Sequence, residues 1–319
     1  MDSYKDFLKS ELDALTGFLQ AAYRVDGELM QEVASYVEAG QGKLLRPAIV
    51  CLVARAFGYN GRDQLHARLG AAVELFHTAT LLHDDVIDNA SLRRRRATVN
   101  AKWGNDVAIL FADYLYATCF DHALAALSPE IVRVLTKTTQ KMTEGEMYQI
   151  ERRGDWLSVA DYFSIIRAKT AHLFSASAGF GAMIAGQNGD VLQQMFEFGM
   201  NFGMAFQITD DALDYEAQGD SWGKRVGADL KEGKQTLPLL HTLQQATPDD
   251  RAALVDILNN GRDFDAVHGF VKQYNGIDYS LEKAGDFTKA AMDILESLEE
   301  NEAIAHLKRI TDSVLVRQV

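Results

Sequence analysis

Cysteine and proline are scarce in this 319-residue chain, which has two of the first and four of the second. Cys51 and Cys119 lie in apolar surroundings without metal-like spacing, so neither a disulfide framework nor a zinc site is expected, and the setting should be reducing and cytoplasmic. Proline occurs only at 47, 129, 238 and 248, leaving long intervals of Ala, Leu, Met, Glu and Gln whose periodicity is helical rather than alternating. Basic charge is also in deficit. With 32 Lys and Arg against 45 Asp and Glu, the formal net charge is −13, which argues against the broad cationic surface of a nucleic-acid binder. Any cationic site must be local. No window reaches the roughly 18 to 20 uninterrupted apolar residues of a spanning helix. Met1 to Asp6 is polar and acidic with no apolar signal core behind it, so secretion and organelle import are not expected.

What is present is an apolar fraction of 47%, enough for one large core or two modest ones. Turn residues break the apolar pattern at Gly58 to Gly61, Arg153-Gly154-Asp155, Gly186 to Gly189 and Gly219-Asp220, and none of these is long enough to be a linker. Ser128-Pro129-Glu130 and Thr247-Pro248-Asp249 read as helix starts, with a capping hydroxyl, a proline at the first helical position and an acid in the first turn. The expectation is an all-α chain: one domain over residues 1–319, a bundle of roughly a dozen helices around a central cavity.

Acidic residues fall where they cost most. Asp84-Asp85-x-x-Asp88 and Asp210-Asp211-x-x-Asp214 each lie inside a stretch that otherwise reads as a buried apolar helix. Residues four apart share a helix face with Cβ atoms about 6 Å from each other, so Asp84 with Asp88, and Asp210 with Asp214, repel unless cations sit between them. Oxygen-only ligands point to Mg²⁺ or Mn²⁺ rather than Zn²⁺, and Mg²⁺ held by one or two carboxylates keeps positions for water or phosphate. A diphosphate substrate follows. One isolated motif of this kind would more often be a solvated helix face; two copies with apolar neighbours reverse those odds.

Local cationic charge follows the first motif at once, in Arg93-Arg94-Arg95-Arg96. A loop just beyond the acidic helix end can aim guanidinium forks at diphosphate oxygens. Lys43 and Arg46 form a second basic pair at a helix start. His77, nearly two turns before Asp84, falls on the same face.

Taken together, Gly42-Lys43-x-x-Arg46-Pro47, the run from Glu74 to Asp88, Arg93-Arg94, Gly145-Glu146, Lys169-Thr170, the run from Phe206 to Tyr215, and Gly223-Lys224 with Gly233-Lys234 resemble the trans-type polyprenyl diphosphate synthases. The likeness runs over nearly the whole chain and is strongest to the bacterial long-chain subgroup that makes octaprenyl and related diphosphates. It implies the isoprenoid synthase fold and a homodimer, and is compatible with peripheral membrane contact at product release. It implies that Asp84, Asp88 and Asp210 hold Mg²⁺ on an allylic diphosphate, about two to three ions in all, with Asp85, Asp211 and Asp214 in support. Arg93, Lys169, Thr170, Gln207, Lys224 and Lys234 would bind that diphosphate, Lys169 and Lys224 also assisting catalysis. Lys43, Arg46, His77 and Arg94 would bind isopentenyl diphosphate. The implied reaction is successive elongation of farnesyl or geranylgeranyl diphosphate, for quinone side chains.

In this family the positions four and five before the first motif lie beneath the growing tail. Here they are Thr80 and Ala79, neither a bulky aromatic, so a long product is expected. An eight-unit tail, about C40, extended along a helix needs roughly 35 to 40 Å, about 25 residues at 1.5 Å each. Three departures stand out: Gln41 where glycine is common, Leu44 in place of a frequent basic residue, and Arg95 in place of glycine, whose backbone freedom arginine lacks. A shorter-chain synthase and a non-catalytic subunit of a heteromeric synthase are the alternatives. A terpene cyclase fits less well because the basic set for a second diphosphate is present, and a di-iron bundle because only one Glu-x-x-His occurs. Replacing Ala79 with Tyr should shorten the product, read by product chromatography; an unchanged length would remove Ala79 from the tunnel wall.

Overall fold

A computed structural model describes residues 3–40, 42–216, 227–261 and 263–316. Apart from Leu92–Arg93 paired antiparallel with Arg96–Ala97, every regular element among them is helical. The longest helices are Gly189–Glu216, with 28 residues, and Leu65–Ile87 and Pro129–Glu151, with 23 each. With short pieces such as Ser3–Phe7, Val99–Trp103 and Ala228–Lys231 set aside, the number is close to the expected dozen. Both anticipated starts are real. Thr247 Oγ1 accepts from the Asp250 amide at 3.3 Å with Pro248 in the first turn, and Ser128 Oγ accepts from the Ile131 amide at 3.4 Å.

The chain divides into two compact units: Met1–Gln140 with Leu173–Gly199 and Ile294–Ile310, and Lys141–His172 with Met200–Asp293 and Thr311–Val319. The boundaries fall inside helices rather than in linkers. In the first unit the Leu65–Ile87 helix is the central element. Its Ala67, Leu69, Ala71, Ala72, Val73, Leu75 and Phe76 are fully buried against the helices Lys9–Ala22, Leu45–Ala56 and Asn105–Leu124. Gly70 permits this approach, since a Cβ there would lie 2.8 Å from Leu15 Cδ1 and 3.3 Å from Pro47 Cβ.

The Asn105–Leu124 helix is, among the described residues, the one long and apolar enough to cross a membrane by length and composition. One side, with Ala108, Phe111, Ala112, Leu115, Cys119 and Ala123, is buried, and this helix packs on Leu65–Ile87. On its other side Leu110 is 68% exposed.

In the second unit, Tyr162, Ile166, Met204, Ile208, Leu237 and Leu240 form one apolar cluster, and Tyr215, Leu230, Leu239, Leu254, Val267 and Val271 another. The Gly189–Glu216 helix feeds both. The second acidic motif therefore sits on a stretch gripped from either end, Ile208 before it and Tyr215 after it, which fixes the direction of its carboxylates.

A close backbone approach in the first unit is at Gly181, on the His172–Ile184 helix, where a Cβ would lie 2.5 Å from the Val50 carbonyl oxygen and 2.9 Å from the Ala54 amide. Backbone on a packed helix cannot give way. Gly181→Ala should cost about 1–3 kcal/mol, seen as a lower denaturant midpoint at unchanged slope; a midpoint equal to that of the parent protein would disprove the contact.

Candidate active site

The Leu65–Ile87 helix ends on the first acidic motif, and the end itself sorts the three acids. Asp88 is the C-cap residue, its amide bonded to the Asp84 carbonyl at 2.8 Å, and its side chain is exposed. Asp84 is half-buried, and Asp85 is 4% exposed. The expectation that all three lie in a buried apolar helix is thus corrected, because the helix stops before Asp88 and only the middle acid points into the core. Asp85 is answered by protein: Arg93 Nε donates to its Oδ1 at 2.9 Å. Arg93 is itself 40% exposed, so the pair is only partly shielded from solvent. The Asp85 carbonyl accepts from the Ala90 amide and from Asn100 Nδ2, tying down the chain that follows the helix. Asp84 and Asp88 keep the shared face their spacing predicts.

Arg94 and Arg95 form the two-residue turn between the short strands, with φ of 51° and 64°. A two-residue hairpin favours positive φ at both central positions, so the glycine missing at 95 is replaced by an arginine held in the same left-handed region. Arg94 Nη1 donates to the Gly40 carbonyl at 3.2 Å, and its guanidinium lies so close to Gly42 that a Cβ there would be 3.2 Å away. Arg46 lies 4.3 Å above the Phe174 ring. His77 is held well below its usual pKa by burial and then by the charges of Arg46, Arg94 and Arg93, so these groups gather around a neutral imidazole. Lys43 is exposed, beside Leu44, whose φ is 55°. Glu74, which opens the run ending at Asp88, is 7% exposed one turn before His77. Burial raises its pKa, opposed by the Arg46 and Arg94 charges.

Below this cluster Ala79 is fully buried, and Thr80 Oγ1 donates to the His77 carbonyl at 2.7 Å. One turn earlier Phe76 meets Tyr116 edge-on at 5.1 Å.

The second motif repeats the sorting in its first two acids but not in its third, which is buried where Asp88 is exposed. Asp210 is half-buried, while Asp211 and Asp214 are 5% and 7% exposed. Asp211 accepts from Tyr162 Oη and from Gln207 Nε2, each at 2.7 Å. Burial, followed by the charge of Asp229, pushes its carboxyl up to about 8. Thr170 Oγ1 donates to Gln207 Oε1 at 2.8 Å, so Thr170, Gln207, Asp211 and Tyr162 form one chain of hydrogen bonds.

Thr170 and Lys169 lie on a single π-helical turn, Arg167–Ala171, an irregularity that often marks functional positions. Gly145 makes room for it, since a Cβ there would lie 2.3 Å from that of Ala168. Lys169 pairs with Glu146 and donates to Gln149 Oε1 at 2.9 Å. Lys234 is paired with Glu232 at 2.7 Å and Asp229 at 3.3 Å; the Asp229 amide in turn donates to Asp214 Oδ2. Lys224 lies outside the described residues, as does Gln41. Tyr162, Glu146, Gln149 and Asp229 were not anticipated. Only the Gly145-Glu146 pair offered a signal.

Among the described residues no group of three or more His, Cys, Asp or Glu is gathered to hold a metal by itself. The exposed or half-buried Asp84, Asp88 and Asp210 fit Mg²⁺ instead, which takes one or two carboxylates and fills its octahedron with water and substrate oxygens.

A profile of the polyprenyl synthetase family matches residues 27–274. The chain belongs to the polyprenyl synthetase family. Octaprenyl diphosphate synthase of Haemophilus influenzae is 33% identical over 306 residues, 95% of this chain and 92% of that protein. Heptaprenyl diphosphate synthase component 2 of Geobacillus stearothermophilus is 35% identical, covering 93% and 92% of the two chains. The crystal structure of a polyprenyl synthase from Caulobacter crescentus, complexed with calcium and isoprenyl diphosphate, superposes with a TM-score of 0.93 at 31% identity, covering 100% of this chain and 98% of that one. This polyprenyl synthetase is therefore a prenyltransferase of the all-α isoprenoid synthase fold.

Within it the Arg94-Arg95 turn carries a local cost. Left-handed backbone at a non-glycine residue costs of order 1 kcal/mol or more. Arg95→Gly should stabilise the protein by about 1 kcal/mol, visible as a higher melting temperature; a drop would mean that the Arg95 side-chain contacts outweigh the strain.

Proposed function

We propose that this prenyltransferase elongates an allylic diphosphate, farnesyl or geranylgeranyl, by successive head-to-tail condensation with isopentenyl diphosphate. The product is a long all-trans polyprenyl diphosphate of about eight units, a length favoured by the small residues Ala79 and Thr80 and by the likeness to octaprenyl diphosphate synthases, made for quinone side chains. One observation carries the reading. In each aspartate triplet the middle acid is buried and bonded to protein, while the first, Asp84 or Asp210, stays half-buried and suited to cation and diphosphate.

Asp84, Asp88 and Asp210 would hold Mg²⁺, and the chemistry such ions supply is neutralisation of charge on the departing diphosphate. Arg93, Lys169, Thr170, Gln207, Lys234 and Lys224 bind the allylic diphosphate, drawing its charge onto fixed cations and dipoles as the C–O bond ionises. Lys43, Arg46, Arg94 and neutral His77 hold isopentenyl diphosphate, whose double bond attacks the allylic cation, and the proton then lost passes to the released diphosphate. No side chain is assigned as its acceptor. The buried helix around Ala79 excludes water that would quench the cation.

Residues 1–319 act as one polyprenyl synthase domain, located in the cytoplasm, a setting that suits two buried free thiols. A homodimer would cover the exposed Leu110 of the Asn105–Leu124 helix. The Geobacillus relative, named as a component, favours a second reading in which this chain works with a different subunit.

Purified protein incubated with farnesyl diphosphate, isopentenyl diphosphate and Mg²⁺ should give a ladder ending near eight units. Asp84→Asn and Asp210→Asn should each lower kcat by about 10²–10³. Products stopping at three to five units would select the short-chain alternative, and no turnover without a second protein would select the two-component reading.

A further inference from the structure

The hairpin that carries Arg93 and Arg94 is too small to hold its own shape. It has two residue pairs and a turn with two left-handed arginines, and an isolated two-stranded ribbon is marginal even without such strain. Its base is closed by the Thr98 amide on the Ser91 carbonyl at 3.1 Å and by Thr98 Oγ1 on the Ala90 carbonyl at 2.6 Å. Its far strand is clasped by one residue of another helix, Tyr36 on Glu28–Glu38. Tyr36 Oη donates to the Ala97 carbonyl at 2.8 Å, Arg96 Nη2 donates back to the Tyr36 carbonyl at 3.0 Å, and the Arg96 guanidinium lies 4.2 Å over the Tyr36 ring.

Tyr36 is itself held. Its ring meets Trp103 edge-on at 5.1 Å, with Lys102 Nζ 4.6 Å from its centroid. The Arg96 guanidinium also presses on Gly40, where a Cβ would lie 2.8 Å from Nη1. Arg94, on the other side of Arg95, reaches the carbonyl of the same Gly40. Neighbouring arginines thus take different partners. Arg93 answers Asp85, Arg94 leans on Gly40 and Gly42, and Arg96 fastens the strand.

We infer that Tyr36 and Arg96 are positioning residues, a clasp that fixes Arg94 beside Gly40 and Gly42 in the pose that binds isopentenyl diphosphate. The inference rests on the proposed function. Arg93 has its own anchor on Asp85, so loosening the clasp falls on Arg94 and should weaken isopentenyl diphosphate selectively, leaving the allylic diphosphate little affected.

The test compares the full chain with Arg96→Ala, Arg96→Lys and Tyr36→Phe, by steady-state kinetics with each substrate varied in turn and by titration calorimetry with isopentenyl diphosphate. In Arg96→Ala the KM and Kd for isopentenyl diphosphate should rise about tenfold, with kcat and the KM for the allylic diphosphate within about twofold of the parent. Tyr36→Phe loses one hydrogen bond and keeps the ring, so a smaller rise is expected. Arg96→Lys keeps a cation over the ring without the fork and should fall between parent and Arg96→Ala. Unchanged isopentenyl diphosphate binding in all three variants overturns the clasp, as does a parallel rise in both KM values with a lowered melting temperature, the mark of a contact that only stabilises. Failure of the parent protein to turn over the two substrates sinks the proposed function, while the calorimetric comparison still decides the clasp.

Discussion

A carboxylate placed in an apolar helical core must have its charge answered, and the way this chain answers it organises what surrounds each acidic motif. Asp85 is met by Arg93, which lies beyond the helix end, so compensation draws the following chain back and starts the hairpin from a defined point. Asp211 is met by neutral donors, a phenol and an amide, and its carboxyl is pushed up to about 8, chiefly by burial. The two motifs share a pattern of letters and differ in electrostatics. One buried acid is neutralised by a cation and the other by hydrogen bonds that a proton can supplement.

Several residues proposed to bind substrate, or their immediate neighbours, sit on backbone that departs from regular geometry. Leu44, Arg94 and Arg95 have positive φ, and Lys169 and Thr170 occupy a π turn inside an otherwise continuous helical stretch. Such conformations persist only where surrounding contacts impose them, as Gly145 does by admitting Ala168 and Tyr36 does by gripping the hairpin. The gain is direction. A π turn points neighbouring side chains differently from an α turn, so Lys169 reaches Glu146 and Gln149 while Thr170 reaches Gln207.

Several features were legible because they are local. Helical periodicity, the two capped starts and the shared face of Asp84 and Asp88 depend on residues within a turn or two of one another. The placement of Asp88 was misjudged, since composition alone does not show that the helix ends at Ile87. Arg95 looked anomalous beside a familiar glycine, yet it takes up the left-handed conformation that glycine would have adopted. Tyr162 and Tyr36 gave no usable signal, because tyrosine is common on helices and acquires a role only through partners far along the chain.

The amino-acid order by itself determined the helical class, the family likeness and the choice of acids and bases proposed to meet diphosphate, because short-range spacing and residue chemistry suffice for these. The tertiary structure alone decided which acids of each triplet are buried, which arginine of four answers Asp85 and which one clasps Tyr36. Those outcomes depend on distances between segments separated by tens of residues, and such distances exist only once the helices have packed.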